Sequence, residues 1–252
     1  MLKAGLVSVS FRETSPKEIA KNAAECGLSG IEWGSDIHVP VGNLEMAKKV
    51  KQLTAENCLS VFAYGSYYRL GQPENCFQKV LDTADALGAP VIRIWGGGKS
   101  PNKLSADEWN MLVDEASEIA RAAKQYNITV ALECHLGTIT EDYPATLKFL
   151  ECVSSSHFRT YWQPNQTRDF AYNLAAAKAL APYTVGVHVF HWDEHRRYPL
   201  MEGEKAWLSY LDVFRSDAEI PCMLEFMHDN KITTLRKTAE TLLRFINDGE
   251  CL

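Results

Sequence analysis

Apolar positions follow two rhythms along this chain. Short runs of Val, Ile, Leu and aromatic residues alternate with longer stretches in which apolar residues recur every three or four positions. The first rhythm belongs to strands buried on both faces, the second to amphipathic helices. The predicted strands are residues 5–11 (GLVSVSF), 30–33 (GIEW), 60–65 (SVFAYG), 91–96 (VIRIWG), 129–134 (TVALEC), 158–163 (FRTYWQ), 185–190 (VGVHVF) and 222–226 (CMLEF).

The helices between them carry start signals. Ser15-Pro16-Lys17-Glu18 offers a capping serine, a first-turn proline and a glutamate that closes a capping box, and Ser105-Ala106-Asp107-Glu108 places two acids at a helix N-terminus. Further helices are predicted over 43–56, 74–87, 142–153, 168–180, 204–215 and 232–247, with Gly27, Gly30, Gly88, Pro90, Pro182 and Pro221 at the turns into the next strand. Eight βα units in 252 residues predict an α/β fold, a single-domain (β/α)8 TIM barrel over residues 1–252. An open doubly wound sheet is the alternative, but no Gly-x-Gly-x-x-Gly follows the first strand.

Composition narrows the partners. A net charge of −6 with no block of like charges long enough to be a tail disfavours nucleic acid, and no segment is apolar for the ~18 residues a membrane span requires. Seven scattered cysteines with no Cys-x-x-Cys pair fit reduced thiols, so a cytoplasmic location is expected.

A barrel of this kind builds its site at the C-terminal ends of the strands. Glu133 in VALECH and Glu225 in MLEFMH are isolated carboxylates in apolar strands, and His188 in VGVHVF stands between them in strand order. A lone buried carboxylate costs several kcal/mol, so each must be paired, protonated or metal-bound. A structural ion pair with Arg93 would account for one such Glu; two with an imidazole suit a divalent cation, Mn²⁺, Mg²⁺, Co²⁺ or Zn²⁺, with Mn²⁺ or Mg²⁺ favoured. His191 has the opposite strand parity to His188 and is expected to contact substrate from the loop. Gly96-Gly97-Gly98-Lys99-Ser100 lacks the earlier glycine of a phosphate loop, and that position holds Arg93. Aromatic residues at the strand ends, with Arg and His nearby, suit a sugar, whose C–H faces pack on rings while its hydroxyls take hydrogen bonds. His195-Arg196-Arg197 is a basic stretch that an anionic or polyhydroxylated substrate could use.

The segments GIEWGSDIHVP, VIRIWGGG, ALECH, VHVFHW and MLEFM together resemble the xylose-isomerase-like barrels, a group of sugar isomerases, ketose epimerases, inosose dehydratase and endonuclease IV. The YWQP segment is similar to a less characterised subset. The resemblance implies one divalent metal held by Glu133, Gln163, His188 and Glu225, with Gln163 where the family has Asp. It implies Glu133 and Glu225 as catalytic groups in proton transfer next to a carbonyl, through an enediolate. Glu32, His38, Tyr64, Arg93, Trp95, His135, His191 and Arg197 are the expected substrate contacts. The expected activity is that of a sugar, sugar-phosphate or polyol isomerase or epimerase, with an inosose-dehydratase-like lyase or a non-catalytic sugar-binding barrel as alternatives. The expected partner is a small-molecule sugar, with no nucleic acid and no membrane, and a homodimer or homotetramer is left open. Tyr64 and Trp95 stand where endonuclease IV would need zinc-binding histidines.

Overall fold

The computed structural model describes residues 1–72 and 76–248. Eight parallel strands close into one barrel in sequence order: β1 (Leu2–Val7), β2 (Gly30–Gly34), β3 (Ser60–Arg69), β4 (Val91–Trp95), β5 (Thr129–Leu132), β6 (Phe158–Trp162), β7 (Thr184–Val189) and β8 (Ile220–Leu224), with β8 pairing back onto β1. Around it lie α1 (Pro16–Glu25), α2 (Leu44–Glu56), α3 (Phe77–Leu87), α4 (Ala106–Lys124), α5 (Tyr143–Val153), α6 (Phe170–Leu180), α7 (Glu204–Val213) and α8 (Leu235–Asp248). The predicted capping box of Ser15 with Glu18 forms, and Ser105 with Glu108 makes a second one.

The boundaries differ in informative places. The predicted first strand, 5–11, is shifted: β1 ends at Val7, and Ser8–Phe11 coils into a 3-10 turn. There Ser8 Oγ accepts the Gly34 N–H at 2.8 Å and Ser10 Oγ accepts the Phe226 N–H at 2.8 Å, so hydroxyls take bonds that strand pairing would otherwise supply. β3 runs four residues past its predicted end, to Arg69. The predicted start of the third helix, residue 74, lies outside the described residues, and helix geometry begins at Phe77. Among the described residues no helix is long and apolar enough to cross a membrane.

Side chains alternate across each strand, so every second residue points into the barrel. Val7, Ala63, Ala131, Tyr161 and Met223 form an apolar interior cluster. Glu32 pairs in register with Val7 and Ala63, Arg93 with Ala131 and His188 with Met223, while Glu133 and Glu225 stand two residues beyond Ala131 and Met223; all five are buried. Gly65 on β3 is what lets this charged layer close. A Cβ there would stand 2.6 Å from Glu32 Oε1 and 2.9 Å from Arg93 Nη2. Gly65→Ala is therefore expected to lower stability by roughly 1–3 kcal/mol, as overpacking does. Denaturant unfolding checks this; a change below about 0.5 kcal/mol, typical of a neutral surface substitution, would show that the layer tolerates a methyl group.

Candidate active site

The strand ends place four donors at one mouth of the barrel. Glu133, Gln163 and Glu225 each follow the last residue of β5, β6 and β8, and His188 lies one residue before the end of β7. Ligand atoms of Glu133, His188 and Glu225 all lie within 4.8 Å of one another. Gln163 Oε1 is 3.0 Å from His188 Nδ1, and Glu225 Oε2 is 3.6 Å from the same nitrogen. The amide oxygen thus points into the donor cluster.

Behind the donors is a buried ionic network. Arg93 Nε donates to Glu32 Oε1 at 2.7 Å, while its Nη1 donates to Glu133 Oε2. Trp95 Nε1 donates to that same Glu133 oxygen at 2.6 Å, leaving the second carboxylate oxygen free of both bonds. Glu32 Oε2 lies 3.2 Å from His188 Nε2. Glu32 accepts from Nε2, and on the charged ring Nδ1 donates to Gln163 Oε1; loss of that proton would turn the Nδ1 lone pair towards the donor cluster. Tyr161 packs edge-on against the His188 ring at 5.1 Å.

The electrostatics follow from this packing. Burial alone would protonate Glu32, but Arg93 and His188 outweigh it and hold the carboxyl at about 2. Burial also opposes charge on His188, yet Glu225 and Glu32 raise the imidazole to about 9. The Glu225 carboxyl is pushed up by burial, opposed by His188 and reinforced by Glu133. At neutral pH the His188 imidazole is therefore charged and three buried carboxylates face a guanidinium and an imidazolium; a cation that displaced the Nδ1 proton would meet an excess of two negative charges. One divalent cation would balance them, and two carboxylates, an imidazole and an amide oxygen form a fitting donor set.

Above the donors opens a cleft of about 600 Å³, with Arg12, Tyr67, Trp95, His135, Trp192 and Phe226 in its walls. Of the expected substrate contacts, Arg93, Trp95 and His135 border it, His135 stacked on Trp95 at 4.8 Å between centroids. The others lie elsewhere. Glu32 is fully buried beneath His188 and acts on it instead of on a ligand. His38 is buried against Ser8 Oγ at 3.0 Å, and Tyr64 is buried with its hydroxyl donating to the Val39 carbonyl at 2.8 Å, so both serve packing. His191, of the opposite parity, turns its ring towards Tyr198 and Gly203. Arg197 stacks on Trp192 and Phe226 beside an adjoining depression. Lys99 of the glycine-rich loop pairs with Glu108.

Among the wall residues, Arg12 and Tyr67 carry no sequence mark beyond their position after strands. Arg12 Nη2 donates to the Tyr67 hydroxyl at 2.8 Å and its Nε to Asp36 at 2.6 Å, a contact between the loops after β1 and β2 and the end of β3 that no local pattern announces. Asp193 and Glu194 also reach the cleft, from a loop whose sequence stands out for its basic residues.

The chain matches the xylose isomerase-like TIM barrel family over residues 20–248. A 3-dehydroshikimate dehydratase of Bacillus anthracis is 26% identical over 160 residues, and the match spans 59% of this chain and 57% of that protein. Among solved structures, the probable 3-DHS dehydratase AsbF of Bacillus anthracis superposes with a TM-score of 0.79 at 19% identity, covering 96% of this chain and 99% of that one. A D-psicose 3-epimerase with D-tagatose, from Clostridium cellulolyticum H10, gives 0.67 at 14% identity over 98% of each chain. These two are likenesses of fold.

The Glu32 network has a pH signature. Its folded carboxyl lies at about 2 against an ordinary 4.5, so its contribution to stability is present above pH 4.5 and is lost as pH falls towards 2. Glu32→Gln strands Arg93 beside a neutral amide and is expected to cost about 3–5 kcal/mol at pH 7. It should also flatten the acid limb of stability over that window. Urea unfolding from pH 7 downwards reads both; a parallel acid limb in the variant would contradict the assignment.

Proposed function

Because the chain belongs to the xylose isomerase-like TIM barrel family and converges its donors on one point, we propose that it is a metal-dependent isomerase or epimerase acting on a small sugar or related polyol. The observation that carries this is the set of buried ligand atoms of Glu133, His188 and Glu225 within 4.8 Å of one another at the floor of an open cleft. Glu133, Gln163, His188 and Glu225 would hold one divalent cation, Mn²⁺ or Mg²⁺ favoured, and the cation would supply positive charge where a substrate carbonyl becomes an enediolate.

The protein's own groups supply the rest. Glu133 and Glu225 approach from β5 and β8, separated by β6 and β7, so they flank a ligand standing over His188. Glu133 is the fixed partner, pinned through one oxygen by Arg93 and Trp95. Glu225 makes no such bonds among the described residues, His188 Nδ1 lying 3.6 Å from its Oε2, and it is the freer group to carry a proton. One carboxylate takes the proton next to the carbonyl and the other returns it. Return to the opposite face of the same carbon gives epimerisation, and return to the neighbouring carbon gives aldose–ketose isomerisation. Trp95, His135 and Tyr67 offer the aromatic face and hydrogen-bonding edge that a polyol needs.

A second reading is favoured by the match to the Bacillus anthracis dehydratase. The same first proton loss, followed by expulsion of a hydroxyl on the next carbon, is a dehydration. His135, in the cleft wall, is placed to give that leaving hydroxyl a proton.

Two measurements test these readings. Titration calorimetry with Mn²⁺ should show one binding site, lost in Glu225→Gln and strengthened about tenfold in Gln163→Asp, since the substitution adds a negative charge to the donor set. Failure of Mn²⁺ and Mg²⁺ to bind the wild type would sink the metal-dependent reading. Incubation of the Mn²⁺-loaded protein in heavy water with a panel of sugars and with 3-dehydroshikimate should place deuterium next to the carbonyl of a recovered sugar. Loss of water from the panel member, followed by ultraviolet absorbance, would select the dehydratase reading instead.

A further inference from the structure

We propose that the loops following β7, β8 and β1 form a subsite for an anionic oxygen group, a carboxylate or a phosphate, carried by the substrate at the β7–β8 edge of the cleft. This rests on the assignment of the cleft as a substrate site and narrows its ligand to anionic compounds.

The loop after β7 is a fixed turn. Trp192 and Arg197 form an antiparallel bridge, Asp193 Oδ1 accepts the N–H groups of His195 and Arg196 at 2.8 and 2.9 Å, and the Tyr198 N–H donates to the His191 carbonyl at 2.8 Å. The turn holds the Arg197 guanidinium 4.9 Å from the Trp192 ring centre and 4.6 Å from that of Phe226. Phe226 is itself fixed, at a left-handed φ of 48° and with its N–H on Ser10 Oγ. A bulky residue held there marks a position the surroundings over-determine, as functional sites often do.

Arg197 is positioned without a counter-charge. Its side chain donates to Asn230 Oδ1, a neutral acceptor, and among the described residues no carboxylate forms an ion pair with it. A guanidinium carries five N–H donors, so most remain to be used. The side chain is half-buried, and burial pulls its pKa down by more than the field of Glu225 raises it. Of the acids at this edge of the cleft, Asp193 is engaged by the Tyr198 hydroxyl and its own turn, and Glu194 and Glu225 line the cleft without an ion pair to Arg197, Glu225 acting on it only through its field.

A second donor adjoins it. Trp192 Nε1 is buried and has no hydrogen-bond partner, although buried donors are almost always paired. Trp192 and Phe226 border the 600 Å³ cleft, while Phe226 and Arg197 border an adjoining depression of about 420 Å³. An anion at their junction would take hydrogen bonds from a guanidinium and an indole and meet the positive charge that the loop lacks a partner for. Barrel enzymes frequently hold phosphate in the loops after strands 7 and 8, the position these residues occupy.

The test titrates the full-length, Mn²⁺-treated protein with inorganic phosphate and, separately, with acetate, by calorimetry and by the ¹⁵N indole resonance of Trp192. At least one anion should bind and shift that resonance, Arg197→Met should weaken the binding at least tenfold, and Arg197→Lys should retain part of it. Preference for phosphate or for acetate decides which group the substrate carries. The proposal is overturned if neither anion binds, or if Arg197→Met binds as the wild type does while keeping its melting temperature. Glu225→Gln should lose Mn²⁺ and keep the anion, so failure of the metal reading and failure of the subsite are read separately.

Discussion

One guanidinium organises the interior of this barrel. Arg93 bridges Glu32 on β2 and Glu133 beyond β5, and Glu32 in turn meets His188 on β7, so a single buried cation fixes two carboxylates and, through one of them, an imidazole. An ion this deep costs several kcal/mol unless its hydrogen bonds are made, and here they are made on both sides. Gly65 gives the pair its room, and the apolar cluster of Val7, Ala63, Ala131, Tyr161 and Met223 packs beside it on the neighbouring strands. The network sets the orientation of the donors before any ligand arrives, which is what a site needs if its geometry is to be ready at the moment of reaction.

The same network explains the division of labour among similar residues. Glu32, Glu133 and Glu225 are all buried glutamates, but only the last two reach the cleft. Depth along the strand separates them: the carboxylate on β2 lies beneath His188 and can only orient it, whereas those on β5 and β8 stand past the strand ends where a ligand can come. The amide of Gln163 fits this pattern. It offers an oxygen to the cluster without adding to a negative charge that already exceeds its buried counter-ions. Charge on the walls is distributed differently, with Arg12 neutralised by Asp36 and Arg197 left unpaired.

The barrel was legible in the sequence because its signals are local and repeated: apolar runs of strand length, capping serines at 15 and 105, and turn glycines and prolines before the strands. Glu133, His188 and Glu225 were legible too, since a charge inside an apolar run is conspicuous and strand parity gives its direction. What depends on contacts between distant loops was not. His38 and Tyr64 look from sequence like cleft residues, yet Ser8 and the Val39 carbonyl bind them into the packing. Arg12 and Tyr67 look unremarkable, yet the loop after β1 and the end of β3 meet through them to form part of the wall. The first strand was misplaced for the same reason, because Ser8 and Ser10 bond to β2 and to the loop after β8, partners that only closure of the barrel brings near.

The central claim is that four strand-end donors hold a cation, with His188 presenting Nδ1 because Glu32 holds Nε2. A crystal soaked in Mn²⁺ and measured at the manganese absorption edge tests it most directly. The account predicts one anomalous peak bounded by Glu133, Gln163, His188 Nδ1 and Glu225, with Nε2 still on Glu32. A peak elsewhere, no peak, or a ring flipped to present Nε2 would contradict it.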